Sequence, residues 1–332
     1  MRPTQDTALS RPDLGQVVYE VMQESITMGF IGLQVMPIFP VAEWSAAYPV
    51  IPKESLFNVH DVKRGATGGY NRVEEEFEEG FYKTADNGLE YPIDDRLSAV
   101  YKTRFDYERI IAEMLMTKIL RAHEKRVADK IFSATNFTAH NAGTAWTTTA
   151  SADPVYDIEE GKDSLRSNGI EPDTLIIPYD GIKNLRQNDG IKDMVYKVFP
   201  DAAKTGRVTV DHLKTVFDVE KVLIAGGLYN SAKKGQSASL ADIWGARYAM
   251  LCRTAAGDIT EPCVGRTFLW NEGQNGSLPI VEQYREERTR GDVLRVRHDS
   301  SESFIASYDE DGSAKSEISK ACGYLIDMTA AS

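Results

Sequence analysis

The chain has 332 residues, with 38 Lys plus Arg against 50 Asp plus Glu and a formal net charge of −12. Apolar residues make up 42% and charged residues 27%, which excludes a disordered chain, a collagen and a coiled-coil rod and is enough for one large core or two smaller ones. The acidic balance also argues against a protein whose main task is gripping nucleic acid, because phosphate binding needs clustered Lys and Arg.

Residues 1–58 read as an extended arm. Helical patterning is confined to about Leu14–Glu24, and Pro37, Pro40, Pro49 and Pro52 then block helix interiors. Such a segment must lie on something, and a neighbouring subunit is a natural candidate. Its most apolar stretch, Met28–Phe39, is too short and too broken by Gly and Pro to span a bilayer. The first residues lack the charged-then-apolar layout of a signal peptide. No membrane partner is expected.

Residues 59–97 carry the oddest pattern. After a Gly-rich start at Arg64–Tyr70, Val73, Phe77 and Phe81 fall on one side of a strand and Arg72, Glu74, Glu76 and Glu78 on the other. Asn87-Gly88 is a strong hairpin signal, so Leu89–Ile93 is expected to return antiparallel to that strand. A two-stranded hairpin is marginal in water and needs an external surface.

Residues 98–152 hold the longest helix, read over 103–134. Phe105, Ile110, Ile111, Met114, Leu115, Ile119, Ala122 and Phe132 recur at three- and four-residue steps. His123 and Glu124 in that helix read as a solvated face. Residues 153–282 alternate helix and strand as one α/β module. It contains helices near Asp157–Asn168, Tyr179–Arg186 and Gly190–Val198, a helix capped by Thr209, and strands at Thr174–Ile177, Lys221–Ala225, Asp242–Arg253 and Arg266–Trp270. Residues 283–332 return to strands, most of them completing a sheet begun near the long helix.

Chemistry is hard to find. The 5 histidines are scattered, with no HExxH and no His-Cys cluster. The 3 cysteines, Cys252, Cys263 and Cys322, form no CxxC pair and read as packing residues or free thiols. Gly65–Gly69 lacks the ending of a phosphate loop, Gly226-Gly227 lacks dinucleotide spacing, and no GxSxG elbow exists. No catalytic, cofactor or metal residue is assigned. Arg285, Arg288, Arg290, Arg295 and Arg297 form the one basic concentration. Ion pairing between subunits is its first reading and contact with packaged nucleic acid its second.

The ordered succession of these parts resembles the major capsid proteins of tailed bacteriophages, with the Hong Kong 97-type fold. Phe39-Pro40-Val41 and Tyr48-Pro49-Val50 resemble the family's N-terminal arm, and Gly68-Gly69-Tyr70-Asn71-Arg72 leads into a hairpin like its extended E-loop. The helix at 103–134 is similar to the spine helix of the peripheral domain. Trp146 and Asp153-Pro154 precede Asp157–Leu165 as they often do in the family. Pro172–Ile177, Val222–Asn230, Asp242–Gly245 and Gly265–Trp270 are similar to the axial domain, and Arg290–Val296 to returning peripheral strands.

The resemblance implies an α+β fold divided into an arm (1–58), an E-loop hairpin (59–97), a peripheral domain (98–152), an axial domain (153–282) and C-terminal strands (283–332). It implies a structural, non-enzymatic protein of the virion, assembled in the host cytoplasm as hexamers and pentamers of an icosahedral shell around double-stranded DNA. Other copies of the chain, a separate scaffolding protein, a portal and a decoration protein are the implied partners. Because the arm begins almost at once, a separate scaffolding protein, or a scaffolding segment already removed, is expected. Arg72, Val73, Glu74, Glu76, Phe77, Glu78, Phe81, Arg288 and Arg290 are the expected inter-subunit contacts. An encapsulin-type compartment shell and, from a different class, a small-molecule enzyme built on the α/β module are the competing readings.

Overall fold

The computed structural model describes residues 8–52, 57–64, 68–73, 77–101, 106–270, 279–288, 290–308 and 314–331. In chain order, β1 (Leu9–Ser10) and α1 (Pro12–Gln23) lead through a short 3-10 turn to α2 (Gly32–Val35), β2 (Ile38–Val41) and β3 (Ser45–Val50). β4 (Glu78–Lys83), β5 (Ala85–Asp94), α3 (Asp95–Tyr101) and the long α4 (Tyr107–Ile131) follow. The α/β part runs β6 (Ala139–Ala142), α5 (Pro154–Ser167), β7 (Thr174–Pro178), α6 (Tyr179–Gln187), α7 (Asp189–Val198), α8 (Pro200–Thr205), α9 (Val210–Phe217) and β8 (Lys221–Ala225). Then come β9 (Leu228–Asn230), β10 (Leu240–Asp242), β11 (Tyr248–Cys252), β12 (Arg266–Trp270), β13 (Ile280–Glu286), β14 (Gly291–Ser303), β15 (Ser307–Tyr308), β16 (Ala314–Ser316), α10 (Ile318–Ala321) and β17 (Gly323–Ala331).

Two sheets organise the chain. The first runs β1-β13-β14-β12-β2, with β5 also paired to β14. The second runs β6-β17-β11-β7-β8. The spine helix α4 is a rod of about 38 Å at 1.5 Å per residue, started by Asp106, whose side chain accepts from the Arg109 N–H. It is packed against α1, α2, β5 and β14, and its buried residues join the first core with Leu14, Val18, Val21, Val35 and Val296.

The N-terminal segment therefore does not wait for a neighbour along its whole length. Pro12 opens α1 at a position where no N–H is needed, and α1 lays Leu14, Val18 and Val21 into the core that α4 lines. β2 adds to β12 in parallel, Ile38 opposite Thr267 through Val41 opposite Trp270. Pro40 and Pro49 lie within the strands β2 and β3, so the prolines bar a helix there without preventing local packing. Gly29, at φ +77, lets the segment press on Gly226, where any Cβ would come within 2.8 Å of the Gly226 carbonyl carbon.

The α/β part holds a second core around Leu165, Leu175, Ile177, Leu185, Leu213, Phe217 and Leu251. Strands Lys221–Ala225 and Arg266–Trp270 stand where the sequence places them. Thr209 caps α9 through a reciprocal pair with His212. Three expectations change. The run Asp242–Arg253 is two strands, β10 and β11, broken between Asp242 and Tyr248. Arg266–Trp270 belongs to the first sheet and not to the α/β module. The last strand, β17, does not return to the spine: it inserts between β6 and β11, pairing with β11 from Tyr248–Asp327 to Cys252–Gly323.

At the start of α5 a buried carboxylate ties the β6–α5 loop to the helix. Asp157 Oδ2 accepts from Trp146 Nε1 at 2.7 Å and Oδ1 from the Gly143 N–H at 3.1 Å. Asp157→Ala removes the acceptor of the indole N–H of the fully covered Trp146. A loss of about 1–3 kcal/mol is expected, to be read as a lower urea midpoint. An unchanged midpoint would mean that water replaces the carboxylate there.

Candidate assembly surface

The elements that leave the fold sit on one ladder. β3 and β4 pair antiparallel, from Ser45–Lys83 to Val50–Glu78, and of the chain between them the described stretches 57–64 and 68–73 lie almost wholly in solvent. An aromatic stack fixes its base: Tyr82 lies 4.6 Å from Phe268 of β12, centroid to centroid, and Tyr48 lies 5.7 Å from the same ring. Val50, Cys263 and Ile305 complete this small core. Gly80 is required there, because a Cβ would meet the Tyr48 ring at 2.5 Å and the Ala306 carbonyl at 2.7 Å.

The hairpin predicted at 73–93 is thus corrected. The projecting hairpin exists but begins at β3, and Asn87-Gly88 is not its turn. β5 runs straight through that dipeptide and pairs with β14 over Ala85–Asp94. Gly88 is small for another reason: a Cβ would sit 2.9 Å from the Arg297 Cβ. Asn87 Nδ2 donates to the carbonyls of Ala85 and Ser300.

The projecting segment is largely exposed, with Val59 98% and Val62 89% accessible. Its two limbs touch. Arg64 donates to the Gly68 carbonyl at 2.6 Å and stacks on Tyr70, and Asn71 Nδ2 donates to the Asp61 carbonyl at 2.7 Å. Near its root Phe57 lies against Gly169, at φ +75 just beyond α5.

The expected contact residues divide by position. Glu74 and Glu76 lie outside the described residues. Arg72, Val73, Phe77 and Phe81 are exposed, Phe77 at 65% and Phe81 at 55%. The period-two alternation holds in β4: Gly80 and Tyr82 point into the small core, while Glu79, Phe81 and Lys83 point out. Phe81 faces Tyr308 at 6.5 Å between centroids. Glu78 is half-buried and accepts from the Ser307 hydroxyl. Arg288 and Arg290 are exposed at the β13–β14 turn, where Arg290 takes φ +50.

The other arginines of that basic run are used within the chain. Arg285 makes a bidentate pair with Asp95 at 2.6 Å, Arg295 pairs with Glu90 and Glu282, and Arg297 pairs with Glu282. These acids are brought together only by strand pairing, so the run looked unbalanced in one dimension.

The residues that sequence reasoning missed lie under α4. His123 and Glu124 are buried, at 3% and 1% exposure, and not on a solvated face. α4 is covered by α1 and α2 as well as by the first sheet, so it buries more than one stripe. Glu124 accepts from the Ile31 N–H at 2.9 Å, the Gly32 N–H at 2.6 Å and Trp244 Nε1 at 2.5 Å. Burial pushes its carboxyl up, and those three donors resist the shift. Nearby, Arg126 makes a bidentate pair with the buried Glu302 at 2.8 and 3.0 Å, and Lys130 donates to the Glu302 carbonyl. Burial pulls His123 and His298 down to about 4.

Among the described residues no group of three or more His, Cys, Asp or Glu could hold a metal ion. The three cysteines are buried and unpaired. No described helix is long and apolar enough to cross a membrane.

No protein-family model matches the chain. It is 29% identical over 227 residues to the major capsid protein of Burkholderia phage BcepMu, covering 67% of this chain and 70% of that protein. A phage-related protein from Bordetella bronchiseptica superposes with a TM-score of 0.70 at 19% identity, over 97% of each chain. The capsid of cyanophage P-SCSP1u superposes with a TM-score of 0.51 at 11% identity, over 90% of this chain and 87% of the other. A spine helix on one sheet, a second α/β body and a projecting hairpin are the Hong Kong 97-type capsid fold. By sequence the chain is similar to a phage major capsid protein, and by fold to phage capsids.

Proposed function

We propose that the chain is the coat subunit of an icosahedral phage shell, with many copies arranged as hexamers and pentamers around double-stranded DNA. The likeness to a phage major capsid protein supports this reading. The observation that carries it furthest is the exposure of residues 57–64 and 68–73, between β3 and β4, together with the outward face of β4. Val59, Val62, Phe77 and Phe81 are exposed there, and each would gain about 1.5–3 kcal/mol on burial against another copy. Val73, also exposed, would join that apolar contact, while Arg72, Glu74, Glu76, Glu78, Arg288 and Arg290 would set its register, since exposed ion pairs add only about 0–1 kcal/mol each. Scaffold, portal and decoration proteins would engage the same growing shell, in the host cytoplasm, before it becomes the virion. The role is structural, with no reaction assigned.

Electron microscopy of purified protein, with its scaffold present, tests the reading. Closed particles or capsomer rings are expected. Replacing residues 53–76 by a short Gly-Ser linker should leave the melting temperature of the subunit near that of the parent chain and abolish closed particles. Undiminished particle yield from the shortened chain would remove the segment from the contact. A parent chain that stays monomeric with its scaffold would overturn the coat reading itself.

A further inference from the structure

The first sheet carries a strand that is paired on one side only. Among the described residues β5 pairs with β14 and with no other strand. It is 10 residues long and most of it is exposed. A strand edge of this length is a template for pairing with another chain, so proteins cover or blunt such edges.

The ladder fixes which groups point outward. The Asp95 N–H donates to the Arg290 carbonyl at 3.2 Å, so Ile93, Tyr91, Leu89 and Asn87 make the hydrogen-bonded pairs with β14. The alternate residues, Asp86, Gly88, Glu90 and Pro92, turn their backbone polar groups away from β14. Pro92 has no N–H to leave unpaired there. Thr84 belongs to the same alternation, and its N–H donates to the Trp44 carbonyl at 2.9 Å. The chain leading into β3 thus uses this edge at Thr84, and from Asp86 onward the edge is open.

We propose that the β5 edge is a self-complementary interface, to which β5 of a second copy adds antiparallel about a twofold axis at Leu89. The inference deepens the coat reading, which supplies the second copies and, in a closed icosahedral shell, the twofold axes. In this register Gly88 exchanges both backbone hydrogen bonds with Glu90 of the second copy, and the Asp86 N–H donates to the second copy's Pro92 carbonyl. Leu89, 39% exposed, meets Leu89 of the second copy in a non-hydrogen-bonded pair, where side chains come closest. The acids of the edge select this register. Sliding one strand by two residues either way sets Glu90 against Glu90 or against Asp86 of the second copy, and like charges directly opposite repel. Opposite Gly88 the incoming Glu90 meets no side chain, and the next residue across the sheet is Arg297. Within its own copy Glu90 already accepts from Arg295 at 2.7 Å. Each Glu90 would therefore lie between two guanidinium groups, one from each copy. Such a pair closes on itself, so the edge is used without inviting a fibre.

The test uses the full chain carrying Leu89→Cys, oxidised in air with copper phenanthroline, both as concentrated subunit and after particle assembly. The native cysteines are buried and should stay out of the reaction. Thiols in a non-hydrogen-bonded pair stand at bridging distance, so most of the chain in particles should run as a disulfide-linked dimer on a non-reducing gel. Glu90→Cys, which faces Gly88 in this register, should stay monomeric, as should Leu228→Cys, 44% exposed on β9. A folded Leu89→Cys chain that stays monomeric in both preparations overturns the proposal. So does equal linking of Glu90→Cys, which would mean a slid register or chance collision. Mixed particles in which Leu89→Cys links to Val59→Cys and not to itself would give the edge to the projecting segment of a second copy, and overturn the twofold pairing as well. Failure of the coat reading is a separate result, read by microscopy of the parent chain. A Leu89→Cys dimer formed without particles would uphold the pairing and remove only the shell.

Discussion

Glu124→Ala is expected to cost about 3–5 kcal/mol, among the largest single losses available in this chain. The carboxylate is the shared acceptor for three donors from two separate segments. Oε1 takes the Ile31 N–H and Trp244 Nε1, and Oε2 takes the Gly32 N–H. Alanine leaves all three donors in a dry interior, each at about 1–3 kcal/mol, and opens a cavity beside the Trp244 ring. Relaxation of the short α2 keeps the total below the simple sum. The urea midpoint should fall by on the order of 1 M. Glu124→Gln should fall between: its carbonyl can keep the Oε1 contacts, but its amide would face the Gly32 N–H donor to donor. If alanine costs less than about 0.5 kcal/mol, water or a moved side chain fills the site, and Glu124 does not hold the N-terminal segment.

That carboxylate also shows where the sequence stopped being legible. Local signals carried far. The apolar runs Lys221–Ala225 and Arg266–Trp270 are strands, the long three-and-four pattern is α4, and the order of parts was enough to suggest the capsid fold. The failures share one cause, which is partners distant in sequence. Asn87-Gly88 has the composition of a turn, yet the ten-position ladder with β14 decides its conformation. His123-Glu124 has the composition of a solvated face, yet residues more than ninety positions away cover it. Of the assembly surface, the alternation along β4 that sets Phe81 on the opposite side from Glu78 was legible, because it needs only the period of a strand. The position of the projecting segment was not, because it depends on β3 pairing with β4. The arginines of β13 and β14 read as free charge until Glu90, Asp95 and Glu282 are placed beside them.

Acid is expected to weaken the fold well above the pH at which its carboxylates titrate. His123 of α4 and His298 of β14 border one small cavity of about 20 Å³, lined also by Met22, Leu33, Met116 and Leu120. His123 Nε2 is 3.2 Å from the Thr267 hydroxyl and 3.6 Å from Glu302. His298 Nε2 has no hydrogen-bond partner. The charged groups facing them are Glu302 and Arg126, and burial outweighs the help that Glu302 gives to a proton. Unfolded, each imidazole takes its proton near 6.5; folded, not until about 4. Between those values the unfolded chain binds more protons, so stability falls as pH falls through that window. Each histidine can account for about 3 kcal/mol by pH 4, and their mutual repulsion makes the two act as a pair. Glu302, held low by Arg126 against its burial, adds a further loss only below the ordinary carboxyl range. Glu124 acts in the opposite sense, because its raised carboxyl accepts a proton more readily folded than unfolded. The net expectation is a urea midpoint that is steady above pH 7 and drops by more than about 1 M on going to pH 4.5. His298→Leu removes the imidazole without a partner and should cut that drop by about half while raising stability at pH 5. If the parent chain holds its midpoint down to pH 4.5, or if His298→Leu leaves the slope as it was, then the helix–sheet interface opens to water before the histidines titrate, and the acid response belongs to the carboxylates.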